Sequence, residues 1–199
     1  MSARLAVCCI DDVHKRRIVE QAVQADADVL YLKDMRRANA ARLSRFHSAG
    51  FSNPGSILAA CRASRMFVSA AILDFLAYVE QDVKPAREPC RLQLVDGWTL
   101  RIQALSAMTG GMDAIVQAVC REVPHADGVL YLDLPPDKVA ARNAWLRERN
   151  AQFDPSVLDA LHAAYERVLT RLDVPVFRIA DAPAGNIAAS CTAILRDFA

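Results

Sequence analysis

Leu5-Ala6-Val7-Cys8-Cys9-Ile10, followed by Asp11-Asp12-Val13-His14-Lys15-Arg16-Arg17, is the stretch whose reading decides the fold. Six apolar residues make a short buried strand, a polar turn follows, and Ile18, Val19, Ala22 and Val23 then recur at helical spacing. Strand, turn and helix in this order are where α/β proteins place a phosphate-binding loop, and Lys15 sits where such a loop carries its lysine. The loop depends on glycines that let successive backbone N–H groups close around phosphate oxygens, and on a Ser or Thr hydroxyl for Mg²⁺. Here Cys9 and His14 take the glycine positions and Arg16 the hydroxyl position. The frame is present and its chemistry is altered.

Outward from that stretch, a helix over about 15–25 leads to a second strand at 28–32, which ends in Lys33-Asp34-Met35-Arg36-Arg37. Ligands of open α/β sheets bind beyond the carboxyl ends of strands, so Lys33, Asp34 and Arg36 are placed to meet an anionic substrate, with a solvated loop as the plainer reading. Residues 38–50 are helical in composition, 50–55 form a turn-rich loop, and a long helix with a wide apolar face runs over about 56–82. A strand at 91–97 places Asp96 at its carboxyl end. Helices at 100–108 and 112–123 precede the plainest strand, Gly128-Val129-Leu130-Tyr131-Leu132-Asp133-Leu134. Pro135 and Pro136 close it and open a helix over about 137–149. Then come a helix at 156–172, a strand at 174–179 and a helix at 185–198. Five strands alternating with helices, most of them Val/Ile/Leu runs, predict a three-layer α/β domain over 1–199, its mainly parallel five-stranded sheet flanked by helices.

Composition narrows the function classes. The 24 basic and 23 acidic residues leave a net charge of +1, which points to neither nucleic acid nor an anionic membrane as partner. The 6 cysteines are scattered without a CxxC pair and read as reduced thiols of a cytoplasmic protein. The first apolar run is too short for a signal-peptide core or a membrane span. His47, His125 and His162 show no ligand spacing with one another or with cysteine, and no metal is assigned to them. Trp98 and Trp145 can stack on a base, but tryptophan beside apolar residues reads first as core or interface.

The wording from Gly128 to Arg149, GVLYLDLPPDKVAARNAWLRER, resembles the strand, proline turn and arginine-bearing helix of thymidylate kinases, nucleoside monophosphate kinases of the P-loop class. Ile10-Asp11-Asp12 with Lys15 is similar to that family's Ile-Asp-Gly and loop lysine. Val83-Lys84-Pro85-Ala86, Leu94-Val95-Asp96, Gln103-Ala104, His162 with Tyr165, and Ile179-Ala180-Asp181-Ala182 follow at compatible spacing. The resemblance implies a P-loop-kinase-like fold, ATP and Mg²⁺ as cofactors, a nucleotide or phosphorylated small molecule as ligand, and a homodimer through the 56–82 helix. It assigns Lys15, Asp96 and Arg142 to catalysis, and Asp96 to Mg²⁺. Asp11, Asp12, His14, Lys15, Arg16, Arg147 and Arg149 then bind the cofactor, the last two within a short lid around 142–155. Lys33, Asp34, Arg36, Phe75 and Gln103 fall on the substrate side.

Several positions depart from the family's pattern. Besides the loop, the Asp-Arg pair reads Asp96-Gly97, the Arg-Glu pair reads Lys33-Asp34, a helix arginine reads Phe75, and the base-contacting Tyr-Gln reads Leu105-Ser106. Phosphoryl transfer is catalysed almost entirely by positioning and charge neutralisation. One lost oxyanion-type donor alone costs about 3–4 kcal/mol of barrier. Asp11 and Asp12 also repel phosphate unless cations lie between. Two readings follow: a divergent nucleotide phosphotransferase of weak or altered activity, and a non-catalytic binding or scaffold module.

Overall fold

A computed structural model describes residues 2–32, 65–84, 89–110, 112–123, 126–146 and 154–198. Within them five strands, β1 (Ala3–Cys9), β2 (Val29–Leu32), β3 (Leu92–Asp96), β4 (Gly128–Asp133) and β5 (Val176–Ala180), form one sheet in the order β2-β3-β1-β4-β5. Every pairing is parallel, with Leu5 opposite Leu94 on one side and opposite Gly128 on the other. The first strand is therefore central. Its residues from Leu5 to Ile10 are all buried, which is why they read as a continuous apolar run and not as an alternating one.

Helices α1 (Asp12–Val23), α2 (Arg65–Tyr78), α3 (Trp98–Thr109), α4 (Asp113–Glu122), α5 (Pro136–Arg142), α6 (Pro155–Leu169) and α7 (Ala184–Asp197) make the connections. The expected helix at 38–50, the loop at 50–55 and the start of the 56–82 helix lie outside the described residues, as do Lys33, Asp34 and Arg36. The end of α2 widens into a π-helical turn, Val79–Val83, closed by Lys84 N–H on the Val79 carbonyl.

Two expected boundaries are corrected. The helix read over 137–149 ends at Arg142, because Asn143 leaves helical geometry and donates its amide to the Val139 carbonyl at 3.0 Å and to Asp11 at 2.9 Å; a short 3₁₀ turn, Ala144–Leu146, follows. And α1 begins at Asp12, three residues before the expected start at Lys15. Without glycine, residues 12–14 have no reason to arc, and Asp11 is a strong N-cap residue.

The β3–α3 junction is tight. Gly97 adopts φ +65° and Trp98 φ +41°, a conformation that a bulky residue holds only when its surroundings fix it. Here Phe75 and Tyr78 meet the Trp98 ring edge-on at 5.4 and 6.3 Å, and the Arg4 guanidinium lies 5.0 Å from its centroid. At Gly128 a Cβ would stand 2.9 Å from the Phe198 ring and 3.0 Å from the fully buried Leu5 side chain. Gly128→Ala is accordingly expected to cost about 1–3 kcal/mol in chemical unfolding.

Candidate functional site

Ligands of open parallel sheets bind beyond the carboxyl ends of the strands. There, in this chain, β1 runs through Ile10 into Asp11 while the neighbouring β3 ends in Asp96. Asp11 is fully buried and caps α1: one carboxylate oxygen accepts the His14 N–H at 2.9 Å, and its carbonyl accepts the Lys15 N–H at 2.9 Å. The other oxygen accepts Asn143 Nδ2 at 2.9 Å and lies 3.5 Å from the Arg142 guanidinium. The His14 N–H, a helix N-terminal donor of the kind that would face a phosphate, is turned to a carboxylate of the chain itself.

Lys15 is only 1 % exposed, so it is no solvated first-turn cation. Its Nζ pairs with Asp12 at 2.7 Å and with Asp96 in a closer contact. Burial opposes the charge, but Asp12 and Asp96 together outweigh it and hold the ammonium pKa well above the usual lysine value. Asp12 in turn pairs with Arg101 at 2.7 Å. Tyr78 fixes the far side: its hydroxyl donates to the Leu32 carbonyl and accepts the Asp96 N–H at 3.1 Å, tying the ends of β2 and β3 together. The expected like-charge obstacle of Asp11 and Asp12 thus meets Lys15, Arg101 and Arg142 inside the chain.

Arg142 spans Asp11 and Asp181, each at 3.5 Å, and Lys138 binds Asp181 at 2.7 Å, which with Arg142 holds the Asp181 carboxyl below the usual range. Arg16 is exposed. His14 has its pKa lowered, first by burial and then by the Arg142 guanidinium. The unfolded chain therefore takes up a proton near the ordinary histidine pKa that the folded chain refuses, and stability falls as pH drops through about 6.5. A His14→Asn variant should show a smaller fall in Tm between about pH 7 and 5 than the parent chain.

Other candidates lie apart from this cluster. Phe75 is 7 % exposed and packs on Trp98. Gln103 donates to Cys120 Sγ at 3.5 Å and lines, with Ser106, Asp113, Gln117 and Arg121, a cavity of about 410 Å³ between α3, α4 and α6. Arg147 and Arg149, with the middle of the expected lid at 147–153, fall outside the described residues. Trp98 is core, whereas Trp145 is 69 % exposed and is no core residue. Burial pushes the Cys8 thiol up to about 12 and also raises Cys9, which makes both inert. Arg101, Tyr78 and Asn143 were not legible as site residues. Only the proximity of Arg101 to Gly97, one helical turn on, carried a signal.

Together the parallel sheet, the helices flanking it and the strand-end cluster define an α/β fold of the P-loop-kinase kind. No protein-family model matches the chain, and no curated protein matches it in sequence. In structure it is similar to the thymidylate kinase of Ehrlichia chaffeensis, at a TM-score of 0.60 over 98 % of each chain and 11 % identity. At that identity the likeness shows a kinase-like fold. Among the described residues no helix is long and apolar enough to cross a membrane.

Proposed function

We propose that the chain is a divergent, thymidylate-kinase-like phosphotransferase whose transfer to a nucleoside monophosphate or related phosphorylated metabolite is slow, because its own carboxylates compete with the donor phosphates. The observation that carries this reading is Lys15, buried and clasped between Asp12 and Asp96 at the head of α1. ATP with Mg²⁺ does not fit this arrangement as it stands. Asp96, which would hold the ion, is bound to Lys15, and Arg16 replaces the hydroxyl ligand. A donor nucleotide must first part Lys15 from its partners, which costs most of what the new contact returns. Lys33, Asp34 and Arg36 remain candidates for the acceptor side.

The second reading is a non-catalytic binding or scaffold module, to which the early start of α1 is also suited because it leaves no loop to wrap a phosphate. Incubation with ATP–Mg²⁺ and each common nucleoside monophosphate separates the two. Slow diphosphate formation that Lys15→Ala abolishes supports the phosphotransferase. Absence of product, with no heat on titration to millimolar nucleotide, overturns it.

A further inference from the structure

A second constellation lies on the other flank of β4. Asp133 ends that strand, and His162 and Glu166, four residues apart on α6, share one helical face turned toward it. His162 Nε2 stands 3.1 Å from Asp133 Oδ1, and the three donor atoms lie within 4.8 Å of one another. Arg178 of β5 bridges the two carboxylates: it gives Glu166 two bonds of 2.8 Å, one to each oxygen, reaches Asp133 Oδ2 at 3.4 Å and lies over the Tyr131 ring. With the imidazole neutral, two carboxylates and one guanidinium leave a net negative charge on the cluster.

We propose that Asp133, His162 and Glu166 bind one divalent first-row transition ion of the Zn²⁺ type. Spacing to the other histidines and to cysteine gives His162 no metal; the partners in this cluster are carboxylates, one on β4 and one on the next turn of the same helix. One imidazole and two carboxylates form a borderline-hard donor set suited to such ions. Ligand bonds of about 2.0–2.2 Å bring donor atoms to roughly 3 Å from one another, the separation His162 and Asp133 already have. The imidazole proton moves from Nε2 to Nδ1 as Nε2 takes the ion. Arg178 engages both Glu166 oxygens, but a carboxylate offers about four lone-pair sites, so each oxygen keeps one that can turn to the metal. Such outer hydrogen bonds orient metal ligands. The three ligand side chains are 28–34 % exposed, which gives the ion an entry path and leaves its remaining positions to water. The site shares no residue with the Lys15 cluster and does not depend on the phosphotransferase reading.

The test is calorimetric titration of the chelator-treated full chain with Zn²⁺, repeated with Co²⁺ while its visible bands are followed. One equivalent should bind in the micromolar range, without a thiolate charge-transfer band. His162→Ala and the near-isosteric Glu166→Gln should each weaken binding by at least about tenfold, and Cys90→Ser should leave it unchanged. Absence of binding at millimolar Zn²⁺, or affinity within about twofold of the parent in the folded Glu166→Gln variant, overturns the proposal.

Discussion

Lys15→Met is expected to lower the unfolding free energy by about 3–5 kcal/mol, the usual result of removing one partner from a buried ion pair. For a chain of 199 residues that corresponds to a fall in Tm of roughly 6–20 °C. The cost arises on the carboxylate side. Asp96 has a side chain only 3 % exposed, and its counter-charge is Lys15. Asp12 is more open and keeps Arg101. In the variant, Asp96 is therefore left as a buried charge without its compensating partner. Lys15→Met combined with Asp96→Leu should recover more than half of the loss, since an apolar pair of similar volume replaces a buried ion pair with little penalty. Equilibrium urea unfolding of the parent chain and the two variants reads all of this. A loss under about 1 kcal/mol for Lys15→Met would mean that the lysine is not locked.

Asp12→Asn is expected to tighten binding of ATP–Mg²⁺ or pyrophosphate by at least about tenfold. A unit charge about 4 Å away contributes on the order of 4 kcal/mol at an effective dielectric near 20, so even partial relief exceeds the 1.4 kcal/mol that a tenfold change requires. The substitution removes a repelling charge and leaves Lys15 with one carboxylate in place of two, while the amide keeps the volume and the start of α1. Arg101, released from Asp12, becomes a further cation for the anion. Competitive titration of parent and variant at fixed ionic strength checks the ratio.

The architecture was legible from the apolar runs. Leu5–Ile10 and Gly128–Leu132 are buried in the middle of a parallel sheet, so burial imprints itself directly on composition. The site was legible only as a location. Lys15, Asp11, Asp12 and Asp96 are among the candidates the sequence offers at the ligand edge, with His14, Arg16 and Arg142; these four lie together in the structure as groups that pair with or cap one another. What they do to one another was not readable, because whether Asp11 opposes a phosphate or caps a helix turns on where α1 begins. That boundary depends on Asn143, 132 residues away in the chain. Arg101 and Tyr78 escaped for the same reason: a guanidinium on α3 and a hydroxyl at the end of α2 have no local signature of reaching the start of α1 and the end of β3. Contact across the sheet decides such roles, and spacing along the chain does not report it.

On the reading proposed above, the place a donor phosphate would take at the head of α1 is already filled by the chain's own carboxylates. The most direct measurement is the affinity of the unmodified chain for ATP–Mg²⁺ by isothermal titration. Binding no tighter than the high-micromolar range is the result expected here. A low-micromolar Kd that Lys15→Ala abolishes and Asp12→Asn leaves unchanged would contradict it.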